Sequence, residues 1–336
     1  MKRVLGIAVS VMLAATVFSG CGQKKVEVSQ PKTVEEKVVE VKNIKMYVPD
    51  GLPALSAAKM IKENPSIDKN VNITYEVAKT ADLLSAKIMS GEADIAVVPS
   101  NLAAQAYNKQ LPYRLAATAG WGSLYVIGAE EIKDWNGLKG KEIYSIGKGL
   151  TPDIAFRYLL KQNGLDPEKD IKITYLNAAT ELAPAFISGK STVAVMPEPM
   201  LTNVLDKKNT TKVAFDLNAE WKKAAQSSLG FPQSSLIIKE ELLKERKSFV
   251  QGFLKQFEES IAWANGNAGK LGEYAEELQL SVNKAAVEKC IPRANLKFVN
   301  VADSKEECSK YFKILLDFEP QSIGGKLPDE GLYIQK

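Results

Sequence analysis

Residues 72–80 read NITYEVAKT, and residues 172–180 read KITYLNAAT. A second pair follows in the same order, since IMSGEADIAVVPSNL at 88–102 lies over FISGKSTVAVMPEPM at 186–200. The two pairs differ in offset by only two residues, and two matches in one order are hard to explain by chance. The chain therefore contains two related halves, and a cleft between related halves is where a ligand usually lies.

Each copy of this repeat predicts a strand, a helix, a glycine stop and a second strand. Val71–Tyr75 and Ile171–Leu176 are short runs rich in β-branched residues, as strands prefer. Thr80 is placed to cap the helix that follows, as is Thr180 in the second copy. Gly91, and Gly189 in the second copy, suit the left-handed residue that ends a helix.

The second strand of each copy predicts the fold class. Ile95–Val98 and Val193–Met196 are continuously apolar, which is typical of parallel strands covered by helices on both faces. Helices that alternate with such strands give an α/β architecture. In these sheets ligands bind beyond the carboxyl ends of the strands, so the residues that follow each strand are the candidates for a site.

We predict two lobes, each a mainly parallel sheet flanked by helices, joined by two crossing segments that form a hinge. The first lobe comprises residues 44–124 and 235–336, and the second lobe, residues 128–231, is inserted into it. Leu124–Ile127 is the predicted outgoing crossing, and Ser235–Ile238 is the strand that crosses back. Hinge closure around a ligand is a known transition for such architectures.

The N-terminal residues 1–20 predict an export signal. Two cationic residues precede an apolar run at 4–18 that is too short to span a bilayer as a mature helix. FSGC at 18–21 resembles a bacterial lipobox, in which Cys21 is lipidated and becomes the new N-terminus. The alternative is an ordinary cleaved signal with an incidental cysteine. Residues 21–43 are polar and lack aromatic side chains, which predicts a flexible tether to the extracytoplasmic face of a bacterial cell membrane.

Composition narrows the classes of function. The sequence contains no histidine, which excludes a Ser-His-Asp triad, a Cys-His dyad and an HExxH zinc site. Without Lys2 and Arg3 the formal charge falls from +4 to +2, so nothing points to nucleic acid. We expect no catalytic apparatus, no cofactor and no metal, although an enzyme that uses carboxylates or lysine remains open.

Cys290 and Cys308 are the remaining cysteines. An exported protein can bridge them, and the alternative is two free thiols on separate helical segments. The sequence leaves both open, because it does not show whether their Cα atoms approach within bonding range. They have neither the close spacing nor the histidine partners of a zinc or redox site.

Four segments resemble those of a known family. They are GEADIAVVPS (91–100), LKGKEIYSIGKG (138–149), YLLKQNGLDPEKDI (158–171) and GGKLPDEGLYI (324–334). In them the chain resembles the solute-binding proteins of bacterial ABC importers, in the branch that serves nitrate, sulfonates, taurine and thiamine-pyrimidine precursors. The resemblance implies a periplasmic-binding-protein-like fold and a lipid-tethered monomer that closes on a solute and presents it to a membrane permease.

The loop from Gly147 to Thr151 is the candidate for binding an anion. Small residues let backbone amides approach a ligand, a helix begins there, and Lys148 adds charge. Gly147, Lys148 and Gly149 would supply the contacts, and Thr151 is the predicted N-cap of the helix. The alternative is a plain strand-to-helix turn.

Other candidates follow strands or lie near the crossings. Trp121, between two glycines, would stack on a planar or apolar ligand, or else pack between the lobes. Glu198, between two prolines, would receive an amine or a ring N–H, or else accept backbone amides in its own loop. Its counterpart in the repeat is Ser100, a neutral hydrogen bonder. Weaker candidates of the same kind are Thr80, Asn177 and Gln233.

We therefore expect an extracytoplasmic receptor for a small polar, zwitterionic or heteroaromatic solute. One alternative is an extracytoplasmic enzyme on the same bilobed fold that uses Glu198 or Lys148 for acid–base chemistry. Another is a surface lipoprotein with a scaffolding role and an empty cleft.

Overall fold

The computed structural model of the chain describes residues 41–176 and 179–335. The predicted signal peptide, the lipidation site Cys21, the tether up to residue 40 and the candidate Asn177 lie outside the described residues. Strand β1 begins at Lys42, so the last residues of the predicted tether belong to a sheet.

The described residues form eleven strands and twelve α-helices, with short 3-10 helices between them. The strands are β1 (Lys42–Pro49), β2 (Val71–Ala78), β3 (Ile95–Pro99), β4 (Tyr113–Trp121), β5 (Leu124–Gly128), β6 (Glu142–Ile146), β7 (Lys172–Leu176), β8 (Val193–Pro197), β9 (Lys212–Asp216), β10 (Pro232–Lys239) and β11 (Leu296–Asn300). The helices are α1 (Leu52–Glu63), α2 (Ala81–Met89), α3 (Ser100–Asn108), α4 (Thr151–Gln162), α5 (Ala179–Ile187), α6 (Met200–Lys207), α7 (Leu217–Ala224), α8 (Glu240–Glu245), α9 (Lys247–Gly266), α10 (Ala268–Glu277), α11 (Lys284–Cys290) and α12 (Val301–Phe318).

The two sheets repeat one topology. In the first sheet the strand order is β2-β1-β3-β10-β4-β11, and in the second sheet it is β7-β6-β8-β5-β9. β1 is parallel to both β2 and β3, as β6 is to β7 and β8. The next strand, β10 or β5, runs antiparallel to its neighbours. The repeat in the sequence therefore corresponds to a repeat in the fold, and the α/β prediction is confirmed. The prediction of mainly parallel sheets is wrong, because both sheets are mixed.

The buried strands β3 and β8 depart in one respect from the prediction. Each is parallel to only one neighbour, because the antiparallel strand β10 or β5 lies on its other side. Their residues are nonetheless buried on both faces, as their continuous apolar character predicted. Such a run reports burial on both faces, and burial does not require both neighbours to be parallel.

The predicted helix boundaries are partly correct. Gly91 and Gly189 have φ values of 73° and 81°, so both adopt the left-handed conformation. Thr80 caps α2, since its hydroxyl accepts a hydrogen bond from the Leu83 amide at 3.2 Å. The predicted caps at Thr180 and Thr151 are wrong, because α5 begins at Ala179 and α4 begins at Thr151 itself.

Only two residues, Gly122 and Ser123, separate β4 of the first sheet from β5 of the second. The predicted outgoing crossing at 124–127 is therefore a strand of the second sheet. The connection is tightly packed, since a Cβ added at Gly122 would lie 2.2 Å from the Phe231 ring. Glycine at this position lets the chain pass between the sheets.

One hydrophobic cluster extends through both sheets. It includes Leu115 of β4, Val126 of β5, Phe156 of α4 and Tyr311 of α12. Helix α12 therefore packs between β4 of the first sheet and α4 beside the second sheet. A second cluster lies on the other face of the first sheet, where α9 contributes the aromatic side chains Phe249, Phe253 and Phe257.

Cys290 and Cys308 are free, buried thiols. Cys290 belongs to the cluster on the outer face of the first sheet, and Cys308 belongs to the cluster that extends through both sheets. The disulfide alternative is therefore wrong, because the two thiols lie in separate parts of the core. No helix in the described part of the chain has the length and hydropathy that crossing a bilayer requires.

Candidate functional site

A cavity of about 540 Å³ opens at the carboxyl ends of the parallel strands of the first sheet. Pro49, Ala78, Pro99 and Trp121, the last residues of β1 to β4, all line it. The side of the second sheet contributes Ser123 and the segment 150–152. This is the position that the rule for α/β sheets predicts, and the volume is within the roughly 300–1,000 Å³ typical of small-molecule sites.

Much of the cavity wall is apolar. Leu52 and Leu102 come from the first turns of α1 and α3, and Leu296 comes from β11. Trp121 is 2% exposed, whereas Leu150, on the side of the second sheet, is 48% exposed. An exposed leucine in a cavity wall gains burial when a ligand covers it.

A paired lysine and aspartate lie in the same wall. The Lys79 ammonium donates to the Asp50 carboxylate at 2.8 Å and to the Gln279 carbonyl at 2.7 Å. The amides of Gly51 and Ser281 also donate to this carboxylate, at 2.7 and 3.1 Å. Burial by itself raises the pKa of Asp50, but these hydrogen bonds outweigh it and hold the pKa below its ordinary value. Asp50 is therefore an ionised carboxylate that is already hydrogen-bonded within the protein and offsets the charge of Lys79.

Neutral polar groups complete the wall. The Asn101 amide donates to the Ser322 carbonyl at 3.2 Å, and the Gln233 side-chain oxygen accepts from the Ser123 amide at 2.8 Å. Ser322 is 7% exposed, and its hydroxyl has no hydrogen-bond partner among the described residues. A buried hydroxyl without a partner is costly.

Four helices begin at the cavity. The first turns of α1, α2, α3 and α4 all contribute lining residues. A side chain caps α2, but none caps α1, α3 or α4. Free amides in a first turn donate hydrogen bonds and carry partial positive charge. The cavity therefore offers backbone donors for an acceptor group on a ligand.

In the predicted anion-binding loop, a carboxylate of the protein itself accepts the hydrogen bond that an external anion would accept. The Gly149 amide donates to the buried Asp153 carboxylate at 2.8 Å, and the Tyr175 hydroxyl donates to the same carboxylate at 2.5 Å. The Lys148 ammonium lies 5.8 Å from the centre of the Tyr175 ring. Gly147, Lys148 and Gly149 do not line the cavity. Asp153, in the first turn of α4, takes the place that an external anion would occupy.

The Glu198 carboxylate is likewise hydrogen-bonded within the protein. It accepts from the Arg293 guanidinium at 2.6 Å, and from the Thr202 amide and hydroxyl, both at 3.1 Å. Its counterpart Ser100 is fully buried, with its hydroxyl oxygen 2.7 Å from that of Ser235. Neither residue lines the cavity, because each finds its partner on a neighbouring element.

Four of the predicted site residues do line the cavity: Thr80, Trp121, Thr151 and Gln233. Trp121 is buried rather than exposed, and its indole N–H donates to the Lys297 carbonyl at 3.1 Å. The Thr151 hydroxyl lies 2.6 Å from the hydroxyl of Tyr311 in α12.

Several lining residues were missed by the sequence analysis. Asp50 and Lys79 follow β1 and β2 directly, and Asp82 lies in the first turn of the helix after β2, so the rule of strand ends would have found them. Leu150 lies inside the predicted loop, but only its glycines and lysine were considered. Ser322 lies in a 3-10 helix more than two hundred residues beyond Lys79 in the sequence, and no local pattern marks it.

A bilobed topology with a small-molecule cavity at the strand ends defines a class of ligand-binding proteins. The family described as "ABC transporter, phosphonate, periplasmic substrate-binding protein" matches residues 62–273, which is more than half of the chain. The chain belongs to this family of extracytoplasmic substrate-binding proteins, and the resemblance found in the sequence is confirmed. Its members are transport proteins that take a small-molecule ligand and serve an ABC permease.

Individual relatives agree with this assignment. YtlA of Bacillus subtilis (strain 168), whose name records binding but no ligand, is 26% identical over 239 residues, covering 70% of this chain and 67% of YtlA. The crystal structure of an ABC transporter from Parabacteroides distasonis is similar with a TM-score of 0.76 and 28% identity, covering 87% of this chain and 99% of that chain. The periplasmic aliphatic sulphonate binding protein SsuA from Escherichia coli has a TM-score of 0.70, 16% identity and coverages of 88% and 92%, so it shares the fold alone.

Proposed function

We propose that the protein is a lipid-anchored, monomeric receptor on the extracytoplasmic face of a bacterial membrane. It closes two lobes on a small polar, zwitterionic or heteroaromatic solute and delivers that solute to the permease of an ABC importer. The observation that carries the proposal is the cavity at the strand ends of the first sheet, which residues 150–152 border from the side of the second sheet. The anchor is proposed on the FSGC segment at 18–21.

The lobes of the proposal are residues 44–124 with 235–336, and residues 128–231. The division is supported by the strands, since β1 to β4 with β10 and β11 form one sheet and β5 to β9 form the other. The two-residue connection after Trp121 and the return before β10 are the proposed hinge. Closure would move Leu150 towards the wall that contains Trp121.

The enzyme alternative has lost its support. It required Glu198 or Lys148 as an acid or base at the ligand. The Glu198 carboxylate is held by Arg293 and Thr202, and the Lys148 ammonium lies over the Tyr175 ring. Neither side chain lines the cavity.

Substitution of the exposed cavity leucine tests the proposal. The solute is first identified by native mass spectrometry of protein purified from its own producer, and its affinity is then measured by calorimetry. We expect Leu150→Ser to weaken binding about fivefold to tenfold, because closure buries about half of a leucine side chain, which contributes roughly 1 kcal/mol. Stability should hardly change, since the side chain is exposed without solute.

Leu327→Ser is the matched control, because Leu327 is also exposed, at 44%, and lies outside the cavity. Binding should be unchanged in this variant. Equal affinities in the wild type and in Leu150→Ser would contradict closure on this cavity. A purified protein that returns its solute chemically altered would contradict the receptor function itself.

A further inference from the structure

We infer that the solute carries no net negative charge and is an organic molecule whose basic nitrogen is bound by Asp82. Its apolar body would contact Leu150, the exposed apolar side chain of the cavity wall. This inference rests on the proposed function and narrows the solute class. It departs from the phosphonate in the description of the family, because the argument depends on the charges of this cavity alone.

The cavity wall is acidic. Among the described lining residues the charged side chains are Asp50, Asp82 and a single cation, Lys79. Lys79 is already neutralised by the Asp50 carboxylate at 2.8 Å. An anionic solute would therefore meet a cation whose charge is already offset by Asp50.

The other cations near the cavity are equally committed. Arg293 precedes the lining residue Ala294, but its guanidinium donates to Glu198 at 2.6 Å and to Thr202 at 2.7 Å. Lys148 precedes Leu150 by two residues, but its ammonium lies over the Tyr175 ring. Neither side chain lines the cavity, so neither offers a free positive charge to a solute.

Helix N-termini normally favour anions, but three of the four at this cavity already have a carboxylate beside them. Asp50 accepts from the amide that precedes α1, Asp82 lies in the first turn of α2, and Asp153 accepts from the Gly149 amide before α4. The Glu319 side chain adds another acid at this last position, since a Cβ added at Gly149 would lie 3.5 Å from it. These acids oppose the binding of an external anion.

The first turn of α3 is the exception, and the groups beside it are neutral. Asn101 belongs to that turn and contacts Ser322, whose buried hydroxyl has no partner among the described residues. Such a place suits an uncharged acceptor such as a hydroxyl, a carbonyl or a ring nitrogen.

Asp82 is the carboxylate left for the solute. It lines the cavity and is exposed, and it forms no ion pair or hydrogen bond with the described residues. Lys79, the nearest cation in sequence, pairs with Asp50 instead. A protonated amine that reaches Asp82 would gain a charge-assisted hydrogen bond. Leu150, exposed in the same wall, then supplies apolar surface for the rest of the molecule.

The test compares solutes of matched shape and different charge on the full protein. Thermal shift followed by calorimetry is run with benzylamine and 2-aminopyridine, and with benzenesulfonate, benzylphosphonate and nitrate. A solute recovered from the producer is tested beside them. We expect the amines or the recovered solute to bind when no anion is added. Asp82→Asn should weaken that binding about tenfold, as loss of a charge-assisted contact does.

Asp303→Asn is the matched control, since Asp303 is also exposed in the first turn of a helix, α12, but lies away from the cavity. It should bind as the wild type does. Tightest binding by the sulfonate, the phosphonate or nitrate would overturn the inference and leave the receptor function standing, and so would equal amine affinities in both variants. No bound molecule from the producer and no stabilisation by any probe would overturn the proposed function as well.

Discussion

The two sheets share a topology, but the ends of their strands differ. At the first sheet the residues after β1, β2 and β3 surround a cavity of about 540 Å³. At the second sheet the corresponding polar groups are used internally, since Asp153 binds the loop after β6 and Glu198 after β8 binds Arg293. The two halves therefore share a strand order, but the acids at the strand ends of the second sheet are held within the protein, Asp153 by its own half and Glu198 by Arg293 of the first lobe.

This difference teaches that a repeat locates equivalent positions without saying which of them bind a ligand. Thr80 and Glu198 both follow strands of the repeat, yet only Thr80 lines the cavity. What separates them is the partner from elsewhere in the chain. Arg293 reaches Glu198 across ninety-five residues of sequence, and no residue within the repeat predicts that contact.

The largest expected effect comes from removing the Glu198 carboxylate, which follows strand β8 of the second sheet. Glu198→Ala removes the acceptor of Arg293 and of the Thr202 amide, and leaves these donors without their partner. We expect the free energy of unfolding, measured in urea, to fall by about 3 kcal/mol. Solute affinity of the folded variant should stay unchanged, because Glu198 does not line the cavity.

The control for this change is Glu288→Ala, at an exposed position of α11. It should alter stability by less than about 0.5 kcal/mol. A stable Glu198→Ala variant that binds solute poorly would reverse the comparison and return Glu198 to the site.

A smaller effect is expected at the loop that Asp153 fills. Asp153→Ala removes the acceptor of the Gly149 amide and of the Tyr175 hydroxyl, so stability should fall by about 1–2 kcal/mol. The freed amides at the start of α4 should then bind sulfate. We expect added sulfate to stabilise the variant more than the wild type in urea unfolding.

The exposed Asp317 provides the comparison for that experiment. Asp317→Ala should gain no more from sulfate than the wild type does, since sulfate stabilises most folded proteins by exclusion from their surface. An equal gain in all three proteins would mean that Asp153 does not occupy an anion site.

The smallest effect concerns the two thiols. Burial raises the pKa of Cys290 to about 12 and that of Cys308 to about 11, from an ordinary value of 9.0. The thiols of the unfolded chain ionise at a lower pH than those of the folded protein. The contribution of the buried thiols to the free energy of unfolding is therefore fully present below pH 9 and declines as the pH rises above it. Below pH 9 we expect slow alkylation by iodoacetamide in the native protein, with each thiol followed by peptide mass spectrometry.

Dithiothreitol should shift the melting temperature by less than about 1 °C, because no disulfide restricts the unfolded chain. A larger shift would indicate a bond between the thiols. Alkylation as fast in buffer as in urea would show that the cores around them open readily. Faster labelling at one thiol would reveal which of the two hydrophobic clusters opens first.

Much of the fold was predictable because it depends on residues that are close together in the sequence. The apolar runs of β3 and β8, the glycines at 91 and 189 and the cap at Thr80 each express a backbone preference within a few residues. The helix starts at Thr151 and Ala179 were misplaced by one residue or more. A capping hydroxyl is a weak signal when a tertiary partner such as Tyr311 competes for it.

The site was less predictable because its parts come from distant segments. Thr80, Trp121, Thr151 and Gln233 were found from their places after strands and beside the crossings. The pairing of Lys79 with Asp50, or the hydroxyl of Ser322, depends on side chains that meet only in the folded chain. Charge in a sequence window does not reveal whether that charge is already neutralised.

The hydrophobic cluster that extends through α12 has a consequence for the folding of the molecule. Leu115 of one sheet and Phe156 beside the other both belong to this cluster. Neither half can therefore expose its interior without disrupting that of its partner, so the chain should melt in a single cooperative transition. Damage at the far side of one half would then reduce the amount of folded protein, even where every residue that lines the cavity is preserved.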